Sequence, residues 1–156
     1  MGYSADSLPA TSASLQSIRC VAADAIGNVY FTDGNRLRKV DSNHIITTIY
    51  MDIYYVNIPN TIAVNPAGDV YFGTNFNVFR VYMGFAINES STWTGAPVTL
   101  QSPNGLLFDS VGNLFVANSL GSTGEVLIVD TAGHVSYLAG DGSCGMSCAD
   151  SVGALN

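Results

Sequence analysis

The chain has 156 residues, of which 47% are hydrophobic and only 11% are charged, and its formal net charge is −7. This composition predicts one folded domain with a core of its own. Five Lys and Arg residues are too few to neutralise a run of phosphates, so we expect no nucleic-acid partner. No apolar run is long enough, and free enough of Pro and charge, to predict a membrane span.

The first predicted unit occupies residues 16–50 and opens with a β-hairpin, Cys20 to Phe31, that reads CVAADAIGNVYF. Asp24 is suited to open its turn, because a carboxylate there accepts hydrogen bonds from backbone amides two residues further on. Gly27 can take the positive φ that closes the turn. Two further strands complete the unit, at Leu37–Val40 and Ile45–Ile49.

The second predicted unit, residues 58–101, repeats the hairpin as TIAVNPAGDVYF and continues into a third strand at Val78–Tyr82. A longer polar excursion follows, and it holds the only tryptophan of the chain, Trp93. The fourth strand is predicted after this excursion, at Val98–Leu100. The excursion makes the second unit the irregular one.

The third predicted unit, residues 102–140, carries the hairpin from Ser102 to Asn118. Its later strands are predicted at Glu125–Val129 and Val135–Ala139. The turn glycines of the three hairpins lie 41 and 44 residues apart and are Gly27, Gly68 and Gly112. A four-stranded unit repeated at this period indicates one blade of a propeller per repeat.

We therefore predict an all-β fold, a β-propeller of four-stranded antiparallel blades, with three blades in this chain. Three blades form a partial ring or a segment of an array, because propellers close with about four to eight. Apolar pairs on the second strands should face adjacent blades alternately: Tyr30, Phe31, Tyr71, Phe72, Phe115 and Val116. Replacing Phe115 by Ala is expected to cost about 3 to 5 kcal/mol.

The first unit resembles the NHL repeat along Asp24–Asp33 and Asn35–Asp41. The third unit matches the same pattern at Pro103, Asn104, Gly105, Asp109, Gly112, Asn113 and Asn118. The departures from the pattern are Cys20 for the usual Gly, Asn75 and Asn118 for Asp, and Phe76-Asn77-Val78 where an Arg is expected. These departures weaken any inference about a binding surface shared with the family, but they do not change the predicted fold.

The stretch from Gly2 to Leu15 is similar to the linker that separates blades in bacterial-type arrays of this family, and Gly145–Ser151 is similar to it with one inserted residue. We therefore interpret residues 1–15 and 141–156 as inter-blade linkers. The N-terminal residues lack the pattern of a signal peptide. The chain is therefore expected to be either intracellular or a mature or excised segment, and the repeat with its linker motifs favours the second. The low charge favours an extracellular or cell-surface protein.

Some propellers similar to this family are enzymes, which hold zinc or calcium on the central axis. Here the two histidines, His44 and His134, fall in turns, and Asp24, Asp33 and Asp109 are interpreted as turn-forming residues rather than metal ligands. No nucleophile elbow, catalytic triad or phosphate loop is found. We expect no catalytic residue, no metal and no cofactor.

The candidate contact residues lie in the loops after the second strand of each unit, and we expect them on one face of the propeller: Asp33, Asn35, Arg36, Asn75, Asn77 and Asn118. Asn88 begins the sequon Asn-Glu-Ser and is a candidate N-glycan acceptor. Cys20 is expected as a buried free thiol. Cys144 and Cys148 are a candidate local disulfide, with the reduced pair left open.

Two functional hypotheses remain. In the first, the chain is a non-enzymatic extracellular module, structural, adhesive or protein-binding, that associates head to tail into a ring or filament. Its partners would be copies of itself or adjacent repeats of the same polypeptide, with carbohydrate or another extracellular protein as further candidates. In the second, the chain is a fragment of a propeller enzyme, a metal-dependent lyase or lactonase, whose site lies in missing blades.

Overall fold

The computed structural model describes residues 6–95 and 99–140, and within them the strands gather into three sheets. The first sheet contains β1 (Leu8–Pro9), β2 (Val21–Ala23), β3 (Val29–Asp33), β4 (Arg36–Val40) and β5 (Ile45–Met51). The second contains β6 (Thr61–Val64), β7 (Val70–Gly73), β8 (Val78–Tyr82) and β9 (Phe85–Asn88). The third contains β10 (Thr94–Gly95), β11 (Pro103–Phe108), β12 (Leu114–Leu120), β13 (Thr123–Val129) and β14 (His134–Ala139). Short 3-10 helices span Ala10–Ser12 and Ser90–Thr92.

Each sheet is an antiparallel meander of four consecutive strands, in the orders β5-β4-β3-β2, β6-β7-β8-β9 and β14-β13-β12-β11. The first strands of the meanders, β2, β6 and β11, contact one another in turn, with β6 in the middle. This is how blades stand around a propeller axis. The predicted all-β architecture of four-stranded antiparallel blades is confirmed.

The hairpin turns form as the sequence predicts, through the side chain of their first residue. The Asp109 carboxylate accepts hydrogen bonds from the backbone N–H groups of Val111, Gly112 and Asn113 at 2.8 to 2.9 Å, and from the Asn113 amide at 2.8 Å. Asp24 does the same in the first sheet. In the second sheet the side chains are exchanged, and Nδ2 of Asn65 donates to Asp69. Gly112 has a φ of 104°, as the turn requires.

The fourth strand of the second unit was predicted in the wrong place. It is β9, immediately after a two-residue turn at Met83 and Gly84, whose φ values are both positive. Such turns match the twist of a hairpin, but Met is an uncommon residue for them, so the local signal is weak. Leu100 is buried outside any strand, and Val98 lies outside the described residues.

Two segments outside the four-stranded meanders each add a fifth strand to one sheet. β1, from the predicted N-terminal linker, pairs antiparallel with β5. β10, from the excursion of the second unit, pairs parallel with β14. The second predicted linker, residues 141–156, lies outside the described residues.

Two apolar clusters fill the spaces between neighbouring sheets. Between the first and second sheets, Phe72 is fully buried, with its ring centroid 4.9 Å from that of Tyr50 and 5.3 Å from that of Phe79. Between the second and third sheets, the cluster contains Val78 and Val116, both fully buried. The packing of blade on blade therefore supplies the core.

Side chains on the second strands alternate between the two neighbouring sheets. Tyr30 belongs to the cluster with the second sheet, and Tyr71 packs against the cluster with the third. Phe115 occupies the equivalent place in the third repeat and points away from the second sheet, opposite Leu107 and Ile128 in the ladder. Phe115 is only half-buried. The direction of the Phe115 side chain was predicted correctly, but its burial was overestimated.

Candidate interaction surfaces

The predicted contact loops lie at equivalent places in the three sheets, but half of their predicted side chains are buried. Asp33, Asn35 and Asn118 are each at least nine-tenths inaccessible, whereas Asn75 is exposed and Arg36 and Asn77 are half-buried. The accessible part of this candidate surface is therefore narrower than the sequence indicated. Whether it binds a partner stays a prediction.

Asp33 holds the N-terminal segment against the first sheet. Its Oδ1 accepts a hydrogen bond from the backbone N–H of Gln16 at 2.7 Å, and its Oδ2 lies 3.4 Å from Nη1 of the fully buried Arg38. Asp6, on the same segment, lies 3.2 Å from the other terminal nitrogen of Arg38. Asp33 is thus an internal partner for a buried cation and not a turn residue as predicted.

Asn118 performs a similar task in the third sheet. Its Oδ1 accepts hydrogen bonds from the backbone N–H groups of Gln101 and Ser102, and its Nδ2 donates to the Thr99 carbonyl and, at 2.8 Å, to the buried Glu125 carboxylate. These bonds tie the segment that precedes β11 to the sheet. The Asn that replaces the family's Asp here therefore has a structural role.

An exposed apolar loop between β5 and β6 was missed in the sequence. Asp52 is buried, and its carboxylate accepts hydrogen bonds from the backbone N–H groups of Tyr54, at 3.0 Å, and Asn57. The loop presents four consecutive large exposed side chains, Ile53, Tyr54, Tyr55 and Val56. An apolar run directly after an Asp, too irregular to be a strand, was the available signal.

The two outward faces of the three-sheet stack carry exposed apolar side chains. We call the face of the third sheet that bears Leu107, Phe115 and Ile128 the leading face, and Leu107 is 66% exposed. We call the face of the first sheet that bears Val21 and Val29 the trailing face, and Val21 is 67% exposed. The N-terminal segment covers the outer part of the trailing face, where Asp6 contacts Arg38 and Thr48.

The modification candidates have defined surroundings where they are described. Asn88 is half-buried, its Nδ2 donates to Asn77 at 3.1 Å, and its Oδ1 accepts from the Ser90 hydroxyl at 2.8 Å. Cys20 is a free thiol, half-buried rather than buried, with its Sγ 3.2 Å from the Asn60 carbonyl oxygen. Cys144 and Cys148 lie outside the described residues.

The turn aspartates are held in their charged form. Backbone N–H groups that hydrogen-bond to Asp41 and Asp130, above all those of Ile45 and His134, lower the pKa of each carboxyl. The pKa values of Asp24 and Asp109 are also lowered, because hydrogen bonds from the turn outweigh desolvation, the largest single effect. The hydrogen bonds within the turns are enough to explain why the pKa values of these four carboxyl groups are lowered, and the explanation needs no bound ion.

No group of three or more His, Cys, Asp or Glu side chains is arranged to hold a metal ion in residues 6–95 and 99–140. The absence of a catalytic centre and of a cofactor stays a prediction. Over the same residues no helix has the length and apolar character to cross a membrane.

Comparison with known proteins points to one repeat family. The family described as the teneurin NHL domain matches residues 3–58. Human teneurin-1 is 33% identical over 87 residues, which cover 44% of this chain and 3% of the human protein. Mouse teneurin-1 is 26% identical over 171 aligned positions, which cover 84% of this chain and 6% of the mouse protein. These matches support the NHL-repeat family that the sequence resembles.

The chain spans only a small part of the curated relatives it matches. Among solved structures, a gluconolactonase from Xanthomonas campestris superposes with a TM-score of 0.66 at 14% identity, covering 81% of this chain and 48% of the enzyme. Virginiamycin B lyase from Staphylococcus aureus superposes with a TM-score of 0.57 at 14% identity, covering 87% and 45%. At such identities these similarities support the propeller fold alone.

Proposed function

We propose that this chain is a non-enzymatic extracellular module, structural or adhesive, whose NHL blades associate head to tail. The leading face of one set of blades packs on the trailing face of the next. The next set belongs to a second copy or to adjacent repeats of the same polypeptide.

The observation that carries the proposal is the pair of apolar outward faces. Within the stack, such faces form the two apolar clusters between neighbouring sheets, as Phe72 and Val116 show. Leu107 and Val21 occupy faces of the same kind and are two-thirds exposed. Burying an apolar side chain of this size stabilises by about 1.5 to 3 kcal/mol, and exposed apolar patches of this kind mark interaction sites.

The direction of association follows from the repeat. The leading and trailing faces are different surfaces, so their contact is heterologous and generates a ring if the rotation closes and a filament if it does not. An extracellular location is supported by the similarity to the teneurin NHL domain and by the low content of charged residues.

The test is the solution mass by light scattering of the purified chain and of three variants. Leu107→Glu places a charge on the leading face and Val21→Glu places one on the trailing face. Phe85→Glu is the matched control, because Phe85 is equally exposed but lies on the outer strand of the middle sheet. We expect association of the parent chain and the control, and its loss in both face variants.

Mixing the two face variants tests the head-to-tail geometry directly. Each variant keeps one intact face, so an equimolar mixture should form a complex of one copy of each and stop there. A parent chain that stays folded and monomeric at micromolar concentration would exclude self-association. A mixture that stays monomeric while the parent associates would exclude the heterologous geometry.

The alternative of a propeller-enzyme fragment makes a different prediction. It requires metal ligands from further blades, and its chain would carry a tightly bound ion in stoichiometric amount when purified with those blades. Elemental analysis of the natural full-length protein distinguishes the two, since the adhesive module requires no such ion.

A further inference from the structure

A cleft of about 470 Å³ lies between the second and third sheets, beside their hairpin turns. One wall is the segment from Glu89 to Gly95, which we call the strap. The strap crosses from the end of β9 to the edge of the third sheet, where the Thr94 backbone N–H donates to the Gly133 carbonyl at 3.0 Å. The excursion that makes the second unit irregular therefore builds this cleft.

Three aromatic side chains line the cleft. The rings of Tyr71 and Phe108 meet edge to face, with centroids 4.8 Å apart and planes at 61°. Trp93 of the strap is half-buried against the same apolar cluster. Within residues 6–95 and 99–140 the indole N–H of Trp93 donates no hydrogen bond.

The position between the first and second sheets that is equivalent to the cleft has no strap, and a basic side chain covers its aromatic ring. There Lys39 stands across the ladder from Tyr30 and lies 5.8 Å above its ring, so a cation of the chain itself covers the aromatic surface. In the second sheet Arg80 stands across from Tyr71, but the strap residue Glu89 binds its Nε at 2.8 Å. Glu89 thereby holds the cation by an ion pair instead.

The chemistry of the lining selects a class of ligand. Glu89 of the strap and Asp130 of the turn between β13 and β14 both line the cleft as hydrogen-bond acceptors, and no Lys or Arg belongs to the lining, which opposes anions. Tyr71 and Phe108 contact each other rather than facing one another across the space, so they do not form a box around a cation. Aromatic faces beside hydrogen-bonding groups suit a ring that is apolar on one face and hydroxylated at its edge.

We propose that this cleft binds a neutral saccharide unit, with Trp93 and Tyr71 packing on the sugar ring and the carboxylates of Glu89 and Asp130 accepting from its hydroxyls. Burial raises the pKa of Tyr71, so its hydroxyl stays a donor. The site lies inside the stack and uses neither the leading nor the trailing face. It therefore goes beyond the proposed assembly and can fail or hold independently of it.

The test uses the single tryptophan of the chain as its reporter, because all tryptophan emission comes from the cleft. The purified chain is titrated with cellobiose, maltose and chitobiose, and in parallel with glucuronate as an anion and choline as a cation. We expect a saturable change in emission with at least one neutral disaccharide and none with glucuronate or choline.

Two arginine variants decide whether the response comes from binding in the cleft. Ala132→Arg fills the cleft from an exposed turn and should weaken binding by at least about tenfold. Ala25→Arg adds the same side chain to an exposed turn of the first sheet and should leave binding unchanged. Circular dichroism checks that both variants are folded, and calorimetric titration repeats the measurement without the fluorophore.

The proposal is overturned by any of three results. These are no saturable response to any neutral sugar in the millimolar range, a response to choline or glucuronate alone, or equal binding by the parent chain and the folded Ala132→Arg variant.

Discussion

Phe72→Ala is expected to be among the most damaging single substitutions in this chain. Phe72 has no accessible surface and stands between the rings of Tyr50 and Phe79, at centroid distances of 4.9 and 5.3 Å. Truncating a buried Phe costs about 3 to 5 kcal/mol, and each aromatic pair adds about 0.5 to 1.5 kcal/mol beyond area burial. We expect a loss of about 4 kcal/mol from the free energy of unfolding.

Phe115→Ala is the matched control, because the residue type is the same and Phe115 also lies on the second strand of its unit, but on the face that has no neighbouring sheet. Phe115 lies half-buried on the leading face, so its truncation should cost only about 1 to 2 kcal/mol in the monomer. The sequence alone predicted the larger value for this site.

The assay is equilibrium unfolding in urea, with the midpoint compared at constant slope. Both substitutions are made in the Val21→Glu background, which blocks association at the trailing face and leaves Leu107, the cross-strand neighbour of Phe115, unchanged. A loss below about 1 kcal/mol for Phe72→Ala, or a larger loss for Phe115→Ala, would refute the assignment of faces.

Four further predictions follow from the structure. Asp33→Ala leaves the buried Arg38 guanidinium without its buried carboxylate and should cost about 3 to 5 kcal/mol in urea unfolding, whereas loss of the exposed Asp6 partner should cost under about 1 kcal/mol. The pKa values of Asp24, Asp41, Asp109 and Asp130 are lowered in the fold, so the unfolded chain binds more protons in acid. The contribution of these four groups to the free energy of unfolding should be complete above the ordinary pKa of 3.8 and should be lost as the pH falls through the folded values. Measuring the urea midpoint as a function of pH checks this. Gly95→Ala should detach the strap and expose Trp93, with a red shift of its emission, because Gly95 has a φ of 103° and a Cβ there would lie 2.6 Å from the Val135 carbonyl oxygen. Asn88 should carry a glycan when the chain is secreted from eukaryotic cells, and the intact mass of an Asn88→Gln variant should lack it.

The sheets could be predicted because their signals are local. Asp24 and Gly27 specify a hairpin turn within four residues, and the same chemistry recurs at Asp109 and Gly112. The repeat then predicts the architecture, because each unit has the same strands in the same order. The side chains at equivalent positions, Tyr30, Tyr71 and Phe115, therefore point to the same side of their sheets. The turn at Met83 could not be recognised, because its conformation is stabilised by the ladder between β8 and β9 and not by a turn-forming residue.

The candidate surfaces were harder to predict because burial depends on distant partners. Asp33 follows an apolar strand, as an exposed loop residue would, but it pairs with Arg38 on the next strand and with Gln16 on the other side of the unit. Asn118 likewise depends on Glu125 and on the Thr99 carbonyl. The spacing of residues within one strand does not predict such contacts. The cleft beside Trp93 could not be predicted either, because residues of two different sheets line it.

The added strands β1 and β10 decide which sheet edges can recruit another chain. An edge strand with unpaired backbone groups is a template for strand addition, and natural sheets often cover it. The first and third sheets have part of their outer edges covered in this way, at Ile45 and Ile46 of β5 and at His134 and Val135 of β14. In the described part of the chain the middle sheet ends at β9 without such a cover, and exposed Phe85 and Ile87 stand on it. An extended peptide that joins this protein by backbone pairing on its outer rim would meet no such cover at the middle sheet.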